Sequence, residues 1–493
     1  MIDEAIAARH LISKFSTFKA TAMMNTSNFR KHAHELVDWM ADFLENIESF
    51  PVKSPVTPGE IIAQLPENPP DAPQPFSQIM ADFQHIIVPG MTHWQHPNFH
   101  AYFPANSSPP SVLAEMLTAT LGAQCMIWQT SPAAAELEER MMHWLQQMTG
   151  LPENWHGIIQ DTASSATLCS ILTAREQHSR FAVNQRGFSG EKFVVYCSEQ
   201  THSSIDKAVK IAGIGSDFLR KIPVDDAFAM RTDALAEAIA TDKAAGLQPL
   251  CVVASIGTTG STAIDPLRKI GEICRENSIW LHVDAAFAGT ALLLPECRGM
   301  IDGIELADTF VFNPHKWMFT NFDCSAYFVK DKGALIQTFE ILPEYLKTSE
   351  DNQVNNYRDW GIALGRRFRA LKLWFVIRTY GVRGLQAKIR EHIRLAQEFV
   401  KWIENADDFE LLAPAPLNTV CFRFHPQKVN EIEALNQLNS TFLEKLNATG
   451  EVYLTHTKLN GKYTLRMVIG QTNVEQRHVE KAWQLIREIS REL

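Results

Sequence analysis

Apolar positions along the chain change their spacing several times, and each change marks a different kind of structure. In NTSNFRKHAHELVDWMADFLENI, starting at Asn25, Phe29, Leu36, Met40, Phe43 and Ile47 fall near one helical face behind a Thr/Ser cap, which predicts an amphipathic helix. Proline-rich text from Pro51 to Pro75 then reads as an extended strap, because proline removes backbone donors. HPNFHAYFPANSSPPS, over 96–111, is equally irregular but aromatic, so it must pack against the body or against another subunit. Helical spacing returns in SPAAAELEERMMHWLQQM.

From about residue 157 short β-branched runs alternate with helical ones. Strands are predicted at Lys192–Cys197, Leu250–Ile256, Ile279–Asp284 and Thr309–Phe312, and helices in SSIDKAVKIAG, TDALAEAIATDKAAG and DPLRKIGEICRENS. Apolar strands separated by helices predict an α/β fold with a mostly parallel central sheet and helices on both faces. Small ligands bind such sheets beyond the carboxyl ends of the strands. After about residue 372, LQAKIREHIRLAQEFVKWIENA with NTVCFRFHP and KYTLRMVIG predicts a small α+β domain. The expected organisation is an extension over 1–23, a helical strap over 24–108, a large domain over 109–371 and a small C-terminal domain over 372–493.

Composition narrows the function classes. The 493 residues are 45% apolar and 21% charged, the balance of a globular chain with more than one packed unit. A net charge of −10 with scattered Lys and Arg argues against a nucleic-acid surface. The 8 cysteines form no CxxC pair and no zinc spacing, so no metal site is expected. Most sit in apolar runs, such as Cys251 in PLCVVASIG, which points to a reducing, cytoplasmic compartment. No apolar stretch approaches the roughly 20 residues of a membrane span. The first 23 residues carry Asp3 and Glu4 without an apolar core, which is not a secretory signal, and Met24 is a second plausible start.

Candidate chemistry lies at the strand ends. LHVDAAFAG ends an apolar strand in Asp284, and a buried carboxylate needs a partner. A helix cap or an ion pair would serve, as would the protonated nitrogen of a pyridine ring lying flat over Ala286. FNPHKWMFTNFDCSAYF sets Lys316 just past a strand among apolar neighbours, with Asn313 in the same turn. A lysine there either snorkels to water or, desolvated, becomes an amine nucleophile. In QDTASSATLCSILTARE, Thr162, Ala163 and Ser164 open a helix whose start is either an ordinary cap or a phosphate seat. SEQTHSS offers His202 as a loop residue able to stack on a ring, and SIGTTGSTAID supplies Thr259 and Asp265.

The order of these words resembles the fold-type I enzymes that use pyridoxal 5′-phosphate (PLP). NPHKW, HVDAA, HAYFPANSS and LGRRFRALKLWFVIRTYGVRGLQ resemble the group II amino-acid decarboxylases, and among them the aromatic-L-amino-acid decarboxylases, from about Met24 to the C-terminus. The resemblance implies PLP carried on Lys316, with Asp284 on the ring nitrogen and His202 stacked on the ring. It further implies cofactor contacts from Ala163, Ser164, Thr259, Asn313 and His315. A mobile loop, PEYLKTSEDNQVNNYRDW, aligns Tyr345 with the tyrosine that protonates the substrate carbon, where aldehyde-forming relatives tend to carry Phe. For the substrate it implicates Trp94, Tyr102, Phe103, Ala105, Gln124, Met126 and Gly365, and for assembly a homodimer sharing its sites, with the aromatic segment 94–128 at the interface. The implied reaction is conversion of an aromatic L-amino acid to its amine and carbon dioxide. Rival readings are a glutamate-type or cysteine-sulfinate-type decarboxylase, an aromatic aldehyde synthase, an aminotransferase and a non-catalytic scaffold. One departure stands out: Asp161 occupies a place where the family commonly has Gly, next to the phosphate seat, and its side chain is expected to turn away.

Overall fold

The computed structural model describes residues 24–341 and 353–493, and the chain divides between His96 and Pro97 into two units. In the first unit, helix α1 (Thr26–Glu45) starts one residue earlier than a Thr/Ser cap would place it. Asn25 is the cap, its side chain accepting the Asn28 N–H at 2.8 Å. Trp39 stacks on Phe43 and meets Phe83 edge-on, yet no residue of α1 is fully buried.

The second unit opens with the aromatic segment, which packs on the body. The His100 N–H donates to Tyr453 O at 2.9 Å, and His100 O accepts the Val468 N–H at 3.0 Å. Helices α2 (Pro109–Leu121) and α3 (Pro132–Thr149) follow. The central sheet consists of β1 (His156–Gln160), β2 (Phe193–Ser198), β3 (Leu219–Ile222), β4 (Gln248–Ser255), β5 (Trp280–Asp284), β6 (Thr309–Phe312) and β7 (Ser325–Val329), in the order β1-β7-β6-β5-β4-β2-β3. From β3 to β6 the neighbours are parallel, and β7 runs antiparallel to both β6 and β1.

Each predicted strand forms within two residues of its expected bounds. Three strands of the central sheet were not read from the sequence. The edge strand β3 (LRKI) is half-exposed and lacks an apolar run. Strands β1 and β7 take their identity from pairing with each other, a contact between residues far apart in the chain.

Helices α4 (Ala163–Ser179), α5 (Ser204–Ile211), α6 (Thr232–Ala244) and α7 (Leu267–Asn277) connect the strands. Alternate residues of β2 explain the two-sided burial. Val194 and Tyr196 join a core with Leu235 of α6 and Ile270 of α7, whereas Val195 and Cys197 join another with Ile171 of α4 and Val209 of α5. Helix α8 (Arg369–Glu404) runs through residue 372 and breaks at Gly381, where φ is +63°. The antiparallel strands β8 (Phe409–Leu411), β9 (Thr419–Phe424), β10 (Thr455–Leu459) and β11 (Lys462–Val468) form a second sheet, ordered β10-β11-β9-β8. Among the described residues, no helix is long and apolar enough to cross a membrane.

Candidate active site

Strand β5 delivers Asp284 at its carboxyl end, 9% exposed, with Oδ1 accepting the Ala286 N–H at 3.0 Å. Strand β6 ends one residue before Asn313. The Asn313 N–H donates to Ala286 O at 2.9 Å, and its Oδ1 accepts the Ser325 hydroxyl at 2.6 Å. The short turn Pro314–Trp317 then places Lys316 beside these groups. Asn106, absent from the sequence-based candidates, clasps that turn: its Nδ2 donates to Lys316 O at 2.6 Å and to Gly470 O at 2.7 Å, and its N–H donates to His315 O at 3.1 Å. Only its place in an irregular but buried segment could have signalled it.

An aromatic column supports the same turn. Phe103 stacks on Phe287 at 3.9 Å, Phe287 on Trp317 at 5.0 Å, and the Trp317 indole N–H donates to His392 Nδ1 at 2.9 Å. Lys316 Nζ sits 5.3 Å from the Phe103 ring centre.

Opposing electrostatic effects act on the lysine. Burial lowers the Lys316 ammonium below its ordinary pKa, and the Asp284 charge pulls the other way. Burial, and then Lys316 itself, pushes His315 down to about 3, so that imidazole is neutral. His202 is lowered chiefly by burial. Its Nδ1 accepts the Ser204 N–H at 3.1 Å; an amide can only donate, so the neutral ring carries its proton on Nε2.

Helix α4 begins at the Thr162 cap, whose Oγ1 accepts the Ser165 N–H at 3.4 Å. A helix leaves its first amides, here those of Ala163 and Ser164, without internal acceptors and with a positive dipole end. Asp161 turns away from this seat: its Oδ1 accepts the Thr162 N–H at 2.7 Å, and it lines a separate cavity with Gly365 and Arg369.

One cavity of about 210 Å³ unites these parts. Phe103, Thr162, Ala163, Ser164, His202, Thr259, Asp284, Ala286, Asn313, His315 and Lys316 all line it. Ser204, Ser255, Gly257, Thr258, Phe287 and Phe322 line it too, without having been singled out in the sequence. Asp265 is structural instead, accepting the Ser255 N–H at 2.7 Å and the Met230 N–H at 2.8 Å.

Several substrate candidates lie elsewhere. Tyr102 is 48% exposed, its hydroxyl 3.3 Å from that of Tyr453, and Ala105 is half-buried outside the cavity lining. Gln124 Oε1 accepts the Arg366 N–H at 2.7 Å and Met126 O accepts the Arg358 N–H at 2.9 Å, so this segment is stitched beside Gly365, not to the Lys316 cavity of its own chain. Trp94 belongs to the first unit, and Tyr345 lies outside the described residues. Among the described residues, no cluster of His, Cys, Asp or Glu could hold a metal.

Buried histidines give the fold a pH dependence with a definite sign. Burial holds His282 to about 4, and His315 and His392 to about 3. An unfolded histidine titrates near about 6.5, so the unfolded chain takes up protons first, and stability present above that pH is lost as pH falls toward 4. Asp265 and Asp308, raised by burial to about 6, oppose this below pH 6. At about 1.4 kcal/mol per pKa unit, a net loss on the order of 3 kcal/mol is expected by about pH 5. Thermal melts at pH 7.5 and 5 check this; an unchanged midpoint contradicts it.

The donor set fits PLP: helix-start amides for a phosphate, an acid for a ring nitrogen, a desolvated amine for an aldehyde carbon, and flat aromatic walls. The family model described as the pyridoxal-dependent decarboxylase conserved domain matches residues 58–425. Phenylacetaldehyde synthase of Arabidopsis thaliana is 44% identical over 480 residues, covering 95% of this chain and 97% of that protein. Aromatic-L-amino-acid decarboxylase of Sus scrofa is 44% identical over 485 residues, covering 95% and 98%. The crystal structure of Oryza sativa TDC with PLP and tryptamine matches at a TM-score of 0.91 and 36% identity, over 95% of this chain and 99% of that one. Matched over most of its length by the family model and over nearly all of it by these relatives, the chain belongs to the pyridoxal-dependent decarboxylases, PLP enzymes of fold-type I, within the group that holds the aromatic-amino-acid decarboxylases and the phenylacetaldehyde synthases.

Proposed function

We propose that this enzyme decarboxylates an aromatic L-amino acid, releasing the corresponding amine and carbon dioxide. The observation that carries the reading is the shared cavity, in which a lysine destabilised by burial, the acid at the end of β5 and the start of α4 meet around aromatic walls. Lys316 would hold the cofactor covalently, Asp284 its ring nitrogen, and Thr162, Ala163 and Ser164 its phosphate, with Asn313, His315 and Thr259 around it. When bound, PLP supplies a conjugated electron sink for the bond pair left by the departing carboxylate. Asp284 keeps positive charge at the ring nitrogen, where that sink needs it. His202 would stack on the ring and orient the substrate, its proton on Nε2. The Tyr345 hydroxyl then gives its proton to the substrate carbon that lost the carboxylate.

Aromatic substrates suit this cavity better than acidic ones. Lys316 is the one Lys or Arg that this chain's described residues contribute to the lining, and once it carries the cofactor none of them is left to meet a second carboxylate. Aldehyde synthesis is the specific alternative, since relatives of both activities stand at 44% identity. Tyr345 favours decarboxylation. Purified enzyme with PLP, offered the twenty amino acids and hydroxylated aromatics, should yield amine and carbon dioxide with an aromatic substrate; aldehyde, ammonia and peroxide as main products would reject the proposal. Tyr345→Phe is expected to cut amine output by about 10²-fold and divert turnover toward aldehyde. Unchanged amine output in that variant removes Tyr345 from proton delivery.

We propose further that two copies share their sites. No residue of α1 is fully buried, and Leu113, Leu117 and Leu121 form an exposed apolar row on α2. Gln124, Met126 and Gly365, absent from the lining of their own chain's cavity, would complete the substrate end of a second copy's site. The eight unpaired thiols suit a cytoplasmic protein.

A further inference from the structure

His282 has no part in the chemistry above, yet it lies two residues before Asp284 and so points to the same face of β5. Its ring is fully buried and touches two other elements. Nε2 lies 3.0 Å from Thr167 Oγ1, on the turn of α4 that follows the phosphate seat, and Nδ1 lies 2.9 Å from Thr309 Oγ1, which opens β6. Thr309 Oγ1 is in turn 2.7 Å from Ser170 Oγ on α4, which accepts the Trp280 indole N–H at 2.9 Å. An indole N–H only donates. One consistent assignment runs from Trp280 to Ser170, from Ser170 to Thr309 and from Thr309 to His282 Nδ1, with the buried Tyr327 hydroxyl beside Ser170 and Thr309. The ring proton is then on Nε2, donated to Thr167.

We infer that His282 is a positioning residue that latches α4 and β6 to β5, setting the spacing among the helix-start amides, Asp284 and the turn that carries Lys316. The inference rests on the reading of the Lys316 cavity as the PLP site. Three elements each contribute one part of that site, and one imidazole is hydrogen-bonded to two of them while standing on the third. Burial keeps the ring neutral, with its pKa held to about 4, which preserves one donor and one acceptor at neutral pH. A phenylalanine of similar volume would fill the space without holding either threonine.

The test follows PLP release from full-length holoenzyme, with freed cofactor trapped, alongside thermal melts of the same proteins. Thr167→Val keeps the side-chain shape and removes one hydrogen bond; it is expected to speed release about five- to tenfold, with Thr167→Ser restoring the wild-type rate. His282→Phe is expected to speed release at least as much. The double variant Thr167→Val/His282→Phe should be no faster than His282→Phe alone, because the two residues act through one bond. A wild-type release rate in Thr167→Val, or effects that multiply in the double variant, overturns the latch. If His282→Phe does not fold, Thr167→Val against Thr167→Ser still decides. PLP attached anywhere other than Lys316 overturns the cavity reading itself, whereas attachment at Lys316 with unchanged release overturns only the latch.

Discussion

Lys316→Ala is expected to lower kcat by about 10⁴-fold or more with every amino acid the wild-type enzyme accepts. The size follows from the residue's position. Lys316 is the amine of the cavity, its ammonium is already destabilised by burial, and the neighbouring His315 is held neutral and cannot replace it as a charged group. The fold should not suffer, since Lys316 Nζ forms no ion pair among the described residues and packs beside the Phe103 ring. Removing a desolvated cation that lacks a close partner is expected to leave the thermal midpoint unchanged or slightly higher. Steady-state kinetics with a melt of the same preparation separates loss of chemistry from loss of structure. Retained turnover, or a variant that unfolds, contradicts this role.

Asp284→Asn should be the next most damaging change. Asparagine keeps the shape and an acceptor for the Ala286 N–H, so the substitution removes little except the charge. Electrostatic groups aimed at a reacting centre in a partly buried site typically contribute about 10²–10³-fold, and a loss of that size in kcat/KM is expected. Because the Asp284 charge also supports the Lys316 ammonium, the Lys316 amine should titrate at lower pH in the variant. The pH profile of cofactor attachment reads that shift; wild-type kcat/KM in Asp284→Asn contradicts the assignment to the ring nitrogen.

Legibility of the sequence followed the range of the forces involved. β2, β4, β5 and β6 could be read because parallel strands buried on both faces are apolar throughout, as in FVVYCS and QPLCVVAS. β7 and β1 could not, since nothing local in SAYFV or HGIIQ distinguishes an antiparallel pair that meets across the chain. The cofactor candidates converged for a related reason: each follows directly on a strand or opens a helix, so local chain direction brings them to one end of the sheet. Substrate candidates have no such constraint. Gln124 and Gly365 lie beside each other through the Arg366 backbone, and their absence from the cavity lining depends on packing that no local pattern encodes. Asn106 escaped notice for the opposite reason, as a residue whose three bonds to the Lys316 turn and Gly470, two of them from its side chain, exist only once distant segments have met.

One covalent address decides whether Lys316 carries the cofactor. Full-length holoenzyme reduced with borohydride, digested and mapped by mass spectrometry should carry the pyridoxyl mass on the peptide containing NPHKW, at Lys316. That mass on any other lysine, or no stable attachment in an enzyme that still releases carbon dioxide, would contradict that assignment.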